Sequence, residues 1–299
     1  MRGFTEADVP DQSGKCFIVT GANTGLGFDV ARVLAGKGGR VLLACRDRGK
    51  AAEAIGRIGA GDMAHLPLDL ADLASVRAAA EAASREPRID GLINNAGVMI
   101  PPLTRTAQGF ELQFGVNHLG HFALTGLLLP KLTQAPAARV VVTASLAHKR
   151  GVINWEDLNS EKDYNRGACY SQSKLANMLH FAELDRRLRA ARSPVSALGC
   201  HPGVAATDLM RNTGWFRPFT PLLGVFLNTA AKGAWPALQA ACDPAAEGGD
   251  YYGPQGLGEA RGASGPASRT AAALDEGLAR RLWDVSVEMT GVDPGLAPA

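Results

Sequence analysis

Two residues of this 299-residue chain stand out for their chemistry: Tyr170 and Lys174, in the run YSQSK. Four positions apart on a helix, they share one face. A free phenol titrates near pH ~10. A neighbouring ammonium stabilises the phenolate and lowers that value. Bringing it near 7 takes about three units, or roughly 4 kcal/mol. Such a pair could move a proton to or from a reacting oxygen. On its own the spacing is common on helix surfaces, so its surroundings decide. Ser145 ends the apolar run VVTAS at 141–145, and a hydroxyl there can orient and polarise a carbonyl oxygen that Tyr170 protonates. Asn117, in FGVNHLG at 114–120, falls in a helical stretch running back along the same sheet. A buried Asn there either bends the helix and holds a water or is a satisfied core polar group.

A second set of residues fits a dinucleotide. The run TGANTGLG at 20–27 follows an apolar strand and opens a helix. Gly21 allows a sharp turn. Gly25 and Gly27 let a helix N-terminus approach a pyrophosphate, whose charge the free N–H groups and the dipole favour. Asn23, Thr24 and Leu26 complete the loop. The second strand ends ACRD at 44–47, with Cys45 where an acid would hold a ribose 2′-hydroxyl. Arg46 follows, and a guanidinium can grip a 2′-phosphate bidentately. NADP(H) is therefore expected over NAD(H), although Asp47 could still reach a ribose and Arg46 could be a solvated surface charge. Asp69 and Leu70, after the third strand, suit the adenine edge, unless the acid there only caps the next helix as Asp72 can. The fourth strand ends in NNAG, where Asn95, Ala96 and Gly97 let the backbone close on a ribose. A positive nicotinamide ring would add to Lys174 in lowering the Tyr170 pKa.

These residues need a frame that brings them to one edge. Short β-rich runs alternate with longer helical ones. The strands read as Lys15–Thr20, Arg40–Cys45, Met63–Leu68, Gly91–Asn94, Arg139–Thr143, Val195–Gly199 and Asp250–Tyr252. The helices read as Gly25–Ala35, Arg48–Ile58, Leu73–Arg85, Phe110–Leu132 and Ala168–Arg189, with an amphipathic last helix over 279–291. Runs such as CFIVT and RVVVT are apolar throughout, as parallel strands covered on both faces are. The pattern predicts a single-domain α/β Rossmann fold with a doubly wound, seven-stranded, mostly parallel sheet. Right-handed crossovers then gather the carboxyl ends of the parallel strands at one edge, where ligands sit.

Composition narrows the rest. The sequence is 46% hydrophobic and 20% charged, enough for a sizeable core, and its net charge of +2 argues against nucleic-acid binding through bulk charge. A local basic cluster remains at Lys37, Arg40, Arg46, Arg48 and Lys50. The five cysteines show no CxxC or Cys/His spacing for a metal and read as free thiols in a reducing, cytoplasmic setting. His118, His121, His148 and His201 likewise share no metal-ligand spacing and are expected to be structural, with His148 and His201 near strand ends and within possible reach of substrate. The opening MRGFTEADVP is polar and acidic, so neither a signal peptide nor a membrane anchor is expected.

In order and spacing, the glycine loop, NNAG, the Asn of FGVNHLGHF, Ser145 and YxxxK resemble the short-chain dehydrogenase/reductase family over nearly the whole chain. LLACRD, INNAGVM, VNHLGHF, ASLAHKRG, SKLAN and HPG resemble its retinol-dehydrogenase-like branch and that branch's bacterial relatives. The resemblance implies Tyr170 as general acid/base, Lys174 on the ribose hydroxyls, Ser145 on the substrate oxygen and Asn117 in a water-linked proton relay. It also implies that Pro202, Gly203, Val204 and Thr207 line the nicotinamide end. Ser145 and Tyr170 lie 25 positions apart, which is typical of this branch, and the insert over 151–167 should line or cover the substrate entrance. Two departures are Ala144, where relatives usually carry serine, and the expected lack of the N-terminal anchor that the membrane-bound retinol dehydrogenases carry.

The expected activity is hydride transfer between NADP(H) and a lipophilic carbonyl or alcohol. NADPH-dependent C=C reduction is the enzymatic alternative, and a non-catalytic NADP(H)-binding regulator the other. The segment 208–227 is rich in large apolar residues and broken by Gly214, Pro218, Pro221 and Gly224. It is expected to be a lid whose Met210, Trp215, Phe216 and Phe219 wall the substrate, or else a core or oligomer-interface segment. A homo-oligomer through helices such as Phe110–Leu132 and Ala168–Arg189 is possible.

Overall fold

Successive side chains of a strand point to opposite faces, so an apolar strand needs cover on both sides. In the computed structural model, which describes residues 3–204 and 228–299, β1 (Cys16–Thr20), β2 (Arg40–Cys45) and β5 (Arg139–Thr143) meet that need. Ile18, Leu42, Ala44, Val140 and Val142 face one core, and Phe17, Val19, Val41, Leu43 and Val141 face the other. The remaining strands are β3 (Met63–Pro67), β4 (Gly91–Asn94), β6 (Ser196–Cys200), β7 (Tyr251–Gly256) and β8 (Arg261–Pro266).

The sheet runs β3-β2-β1-β4-β5-β6-β7-β8. Its first seven strands are parallel, and β8 pairs antiparallel with β7. The sheet therefore has eight strands, not seven. The sequence Arg261–Pro266, RGASGP, carries no β-branched or aromatic residue. Its strand conformation comes from hairpin pairing with β7 through a tight turn, in which Leu257, Gly258 and Glu259 take left-handed φ angles.

The flanking helices are α1 (Gly25–Gly36), α2 (Arg48–Ile58), α3 (Leu73–Ala83), α4 (Gly120–Leu132), α5 (Arg166–Ala190), α6 (Trp235–Cys242) and α7 (Glu276–Thr290). Where the sequence reads one helix over 110–132, the backbone holds a single turn at Leu112–Phe114, a wide π turn at Gly115–Leu119 and then α4. Single π turns inside helices occur frequently at functional sites. Helices α4 and α5 are buried along almost their full length. Part of their cover is α7, whose Trp283 meets Phe122 edge-on at 5.1 Å and lies under the Arg187 guanidinium at 4.5 Å. The faces expected to pair two subunits are thus partly occupied by the chain's own last helix.

No helix among the described residues is long and apolar enough to cross a membrane. The five cysteines are free and buried. Thr207 and the segment 208–227, with Met210, Trp215, Phe216 and Phe219, lie outside the described residues.

Candidate active site

The strand order reverses at β1, whose neighbours are β2 on one side and β4 on the other. Open α/β sheets bind ligands in the crevice outside such a point. A cleft of about 540 Å³ lies there. It is lined by the glycine loop (Gly21, Asn23, Thr24, Gly25, Leu26), by Arg46, Asp69 and Leu70, and by Asn95, Ala96 and Gly97. All of these were expected from sequence, and they come from the ends of four different strands.

The fit to a dinucleotide can be tested on the glycines. Gly21 has φ +68°, the left-handed region. A Cβ at Gly27 would stand 2.5 Å from the Gly21 carbonyl and 2.6 Å from Asn95 Nδ2. Side chains would therefore close the loop that α1 presents to the cleft, where the first-turn N–H groups have no acceptor within the helix. A backbone cradle at a helix N-terminus suits an anionic pyrophosphate. At the rim, Arg46 has a largely exposed side chain 3.9 Å from Asp69. Asp47 is otherwise engaged: its Oδ1 accepts from Lys50 N at 3.0 Å and caps α2. Asp69 Oδ1 accepts from Ala71 N at 2.9 Å. Arg40, part of the same basic cluster in sequence, is turned to Glu86 and Asp62.

Further along the edge, Ser145 follows β5 and Tyr170 and Lys174 share a face of α5. Burial raises the pKa of the Tyr170 phenol, and the nearby Ser145 side chain only partly offsets this. The Lys174 ammonium stands 5.8 Å from the Tyr170 ring centroid. It donates to the Thr143 carbonyl at 3.2 Å, and burial presses its pKa down to about 8. In the chain by itself desolvation penalises both charged forms, so Lys174 does not offset the burial of the phenol. Neither Ser145, Tyr170 nor Lys174 lines the 540 Å³ cleft. The link is Gly97, where a Cβ would lie 3.2 Å from Asn117 Oδ1 and 3.6 Å from Lys174 Nζ.

Asn117 sits in the π turn, fully buried. Its Nδ2 donates to the Val98 carbonyl and to Ser173 Oγ, both at 3.0 Å, and its Oδ1 accepts from Val98 N at 2.8 Å. With both amide hydrogens engaged, the side chain braces the loop after β4 against α5, and any part in proton transfer falls to its carbonyl. Ser173, inside YSQSK, passes the brace on by donating to the Tyr170 carbonyl at 2.8 Å. Sequence reasoning singled out neither Ser173 nor Thr143, whose carbonyl also takes Asn177 Nδ2 at 3.0 Å. For Ser173 the available signal was its place between two chemistry-bearing residues.

At the end of β6, Gly203 N donates to His201 Nδ1 at 3.1 Å, Val204 N to the Ala260 carbonyl at 2.9 Å, and Asn228 Nδ2 to the Pro202 carbonyl at 3.3 Å. Pro202, Gly203 and Val204 thus lie on the same sheet edge as Ser145. His148 Nδ1 donates to the Ser145 carbonyl at 2.6 Å, so His148 supports the site from behind. The insert over 151–167 is held in place by Tyr164, whose hydroxyl donates to the Pro101 carbonyl at 2.9 Å, and by Asn154 N on Gln172 Oε1 at 2.8 Å.

Comparison with known proteins agrees with this geometry. Residues 15–215 match the short chain dehydrogenase family. Retinol dehydrogenase 14 of Mus musculus is 44% identical over 93% of this chain and 86% of its own length. Retinol dehydrogenase 13 of Homo sapiens is 43% identical over 97% and 87%. A crystal structure of a Mycobacterium paratuberculosis protein, 42% identical, superposes with a TM-score of 0.85 over 98% of this chain and all of that one. The chain is therefore an oxidoreductase of the short-chain dehydrogenase family, in its retinol-dehydrogenase-like branch.

Proposed function

We propose that the chain is an NADP(H)-dependent oxidoreductase acting on lipophilic carbonyls and alcohols, with Tyr170 as its general acid and base. The observation that carries this reading is that Tyr170 and Lys174 share a face of α5 near Ser145, on the sheet edge that also holds the glycine loop. When bound, the nicotinamide supplies or takes up the hydride. Ser145 holds the substrate oxygen, and Tyr170 gives that oxygen its phenolic proton or takes one from it. The Lys174 ammonium favours the phenolate left behind, and its remaining hydrogens suit the ribose hydroxyls. A water on the Asn117 carbonyl restores the proton. Desolvation of both Tyr170 and Lys174 keeps their interaction strong once a charge develops.

Arg46 supports the choice of NADP(H), since its guanidinium reaches over the cleft rim while Asp47 is committed to capping α2. The relatives named retinol dehydrogenases support a lipophilic substrate, as do the many large apolar residues in the sequence 208–227. The insert over 151–167, held against Pro101 beside the cleft, is assigned the substrate entrance.

The experiment is NADPH and NADH oxidation with straight-chain aldehydes from propanal to decanal. A lipophilic site gains up to about 0.8 kcal/mol per buried CH₂, so kcat/KM should climb up to about fourfold per carbon over several steps, with NADPH preferred. A flat series contradicts the apolar site. NADPH binding without its oxidation by any carbonyl contradicts the enzyme reading and favours a regulator.

A further inference from the structure

His121 has no place in the chemistry described above, yet it joins two parts of the site. It is 2% exposed, one turn after Asn117. Its Nδ1 lies 3.1 Å from the Asn117 carbonyl and its Nε2 lies 2.9 Å from Thr20 Oγ1. Thr20 is the last residue of β1, where the glycine loop begins. Its hydroxyl accepts from Asn95 N and Ala96 N, both at 2.9 Å, so its two lone pairs are filled by the NNAG turn.

Counting donors and acceptors fixes the tautomer. A carbonyl can only accept, so His121 Nδ1 must carry the hydrogen. The Thr20 hydrogen, with both lone pairs occupied, goes to His121 Nε2 at 2.9 Å in preference to the Ile93 carbonyl at 3.3 Å. The ring is neutral, since burial lowers its pKa to about 4. The charged group that acts on it is Lys174 from α5, and the titratable groups coupled to it are His118 of the π turn and His180 of α5. Donation then runs one way, from the Asn95 and Ala96 amides through Thr20 and His121 to the Asn117 carbonyl. Chains of this kind polarise their members in sequence.

We propose that His121 is a positioning residue that holds the Asn117 carbonyl as the anchor of the proton relay and ties it to the strand ends that bind the dinucleotide. One lone pair of that carbonyl takes His121 Nδ1–H, which leaves the other for the relay water. The proposal rests on the Tyr170–Lys174 reading above.

Two substitutions separate the arms of the bridge. His121→Asn places an amide N–H near the position of Nδ1, keeping the Asn117 arm and dropping Thr20. His121→Gln reaches the position of Nε2, keeping the Thr20 arm and dropping Asn117. With octanal and NADPH, His121→Gln should lower kcat about tenfold more than His121→Asn, as loss of one hydrogen bond allows, and should shift the pH profile of kcat. His121→Asn should weaken NADPH binding, read by cofactor fluorescence, more than His121→Gln does. Equal losses in both variants, following melting temperature alone, overturn the proposal in favour of plain packing. Tyr170→Phe is the control for the underlying reading. If it keeps turnover, that reading fails; if it loses turnover while the His121 variants show no split, only the present proposal fails. Histidine ¹H–¹⁵N spectra of the unmodified chain need no variant at all. They should show His121 as the neutral Nδ1–H tautomer at pH 7. An Nε2–H tautomer, or titration near the ordinary value of about 6.5, overturns the proposal.

Discussion

At the scale of residues, Arg46 and Tyr170 show two ways in which a sequence position acquires a role. Among the described residues Arg46 has one weak ion-pair partner, Asp69 at 3.9 Å, and an exposed side chain. A surface pair of that kind contributes little to stability, so its replacement should cost binding and spare the fold. Arg46→Leu is expected to weaken NADPH by roughly 10- to 150-fold, the worth of one charge-assisted hydrogen bond, and to leave NADH nearly unchanged. Fluorescence titration of both cofactors reads this directly, and equal weakening would make Arg46 an ordinary surface charge. Its position was legible because a charged residue directly follows an apolar strand end. The state of Tyr170 was not. Spacing places Lys174 on the same face of the helix, but only the packed structure shows that burial raises the phenol pKa and lowers that of the lysine. His121 was equally hidden. Its partners, Thr20 and the Asn117 carbonyl, are 101 and 4 positions away, and nothing local marks it out from His118.

At the scale of elements, apolar runs and glycine stops located the first six parallel strands and helices α1, α2, α3 and α5 to within two residues, while β7 runs on to Gly256 and α6 went unread. Two other features escaped because their cause is tertiary. Strand β8 is built from RGASGP and exists through its pairing with β7. The π turn at Gly115–Leu119 lies inside a stretch whose periodicity is helical on either side. Against that turn α5 and α7 pack a buried aromatic cluster: His118 hydrogen-bonds Ser286 at 2.8 Å, and His180 stacks on Trp283. Neither ring nitrogen of His180 has a hydrogen-bond partner among the described residues, and burial pushes its pKa down to about 3. A histidine whose folded pKa is depressed binds its proton more readily when unfolded. Its penalty is therefore absent well above the unfolded value of about 6.5 and grows as pH falls towards the folded value. At pH 5 the cost is on the order of 2 kcal/mol. His180→Phe removes it, so the melting temperature of this variant relative to the unmodified protein should be higher at pH 5 than at pH 7.5. A difference independent of pH would show that His180 is not held neutral by the fold.

At the scale of the whole molecule, the function depends on an arrangement that no single motif specifies. Six parallel strands bring Gly21, Arg46, Asp69, Asn95, Ser145 and Pro202 to one edge, and the reversal of strand order at β1 opens the cleft among the first four. The Asn117 brace then joins the loop after β4 to α5, so that the cofactor-binding half and the Tyr170 half share one rigid support. Order and spacing of the motifs made this much readable. The substrate was not, because the motifs fix the cofactor edge and the reacting oxygen but not the side chains that meet the rest of the substrate. The central claim is that Tyr170 transfers the proton within this frame. Tyr170→Phe removes one oxygen and leaves the ring, the brace and the glycine loop in place. Turnover of octanal by this variant, measured alongside NADPH binding, is the most direct test. A positioned proton donor is worth about 10²–10⁴-fold. The expected result is turnover reduced by that factor with NADPH affinity retained. Turnover near that of the unmodified enzyme would contradict it.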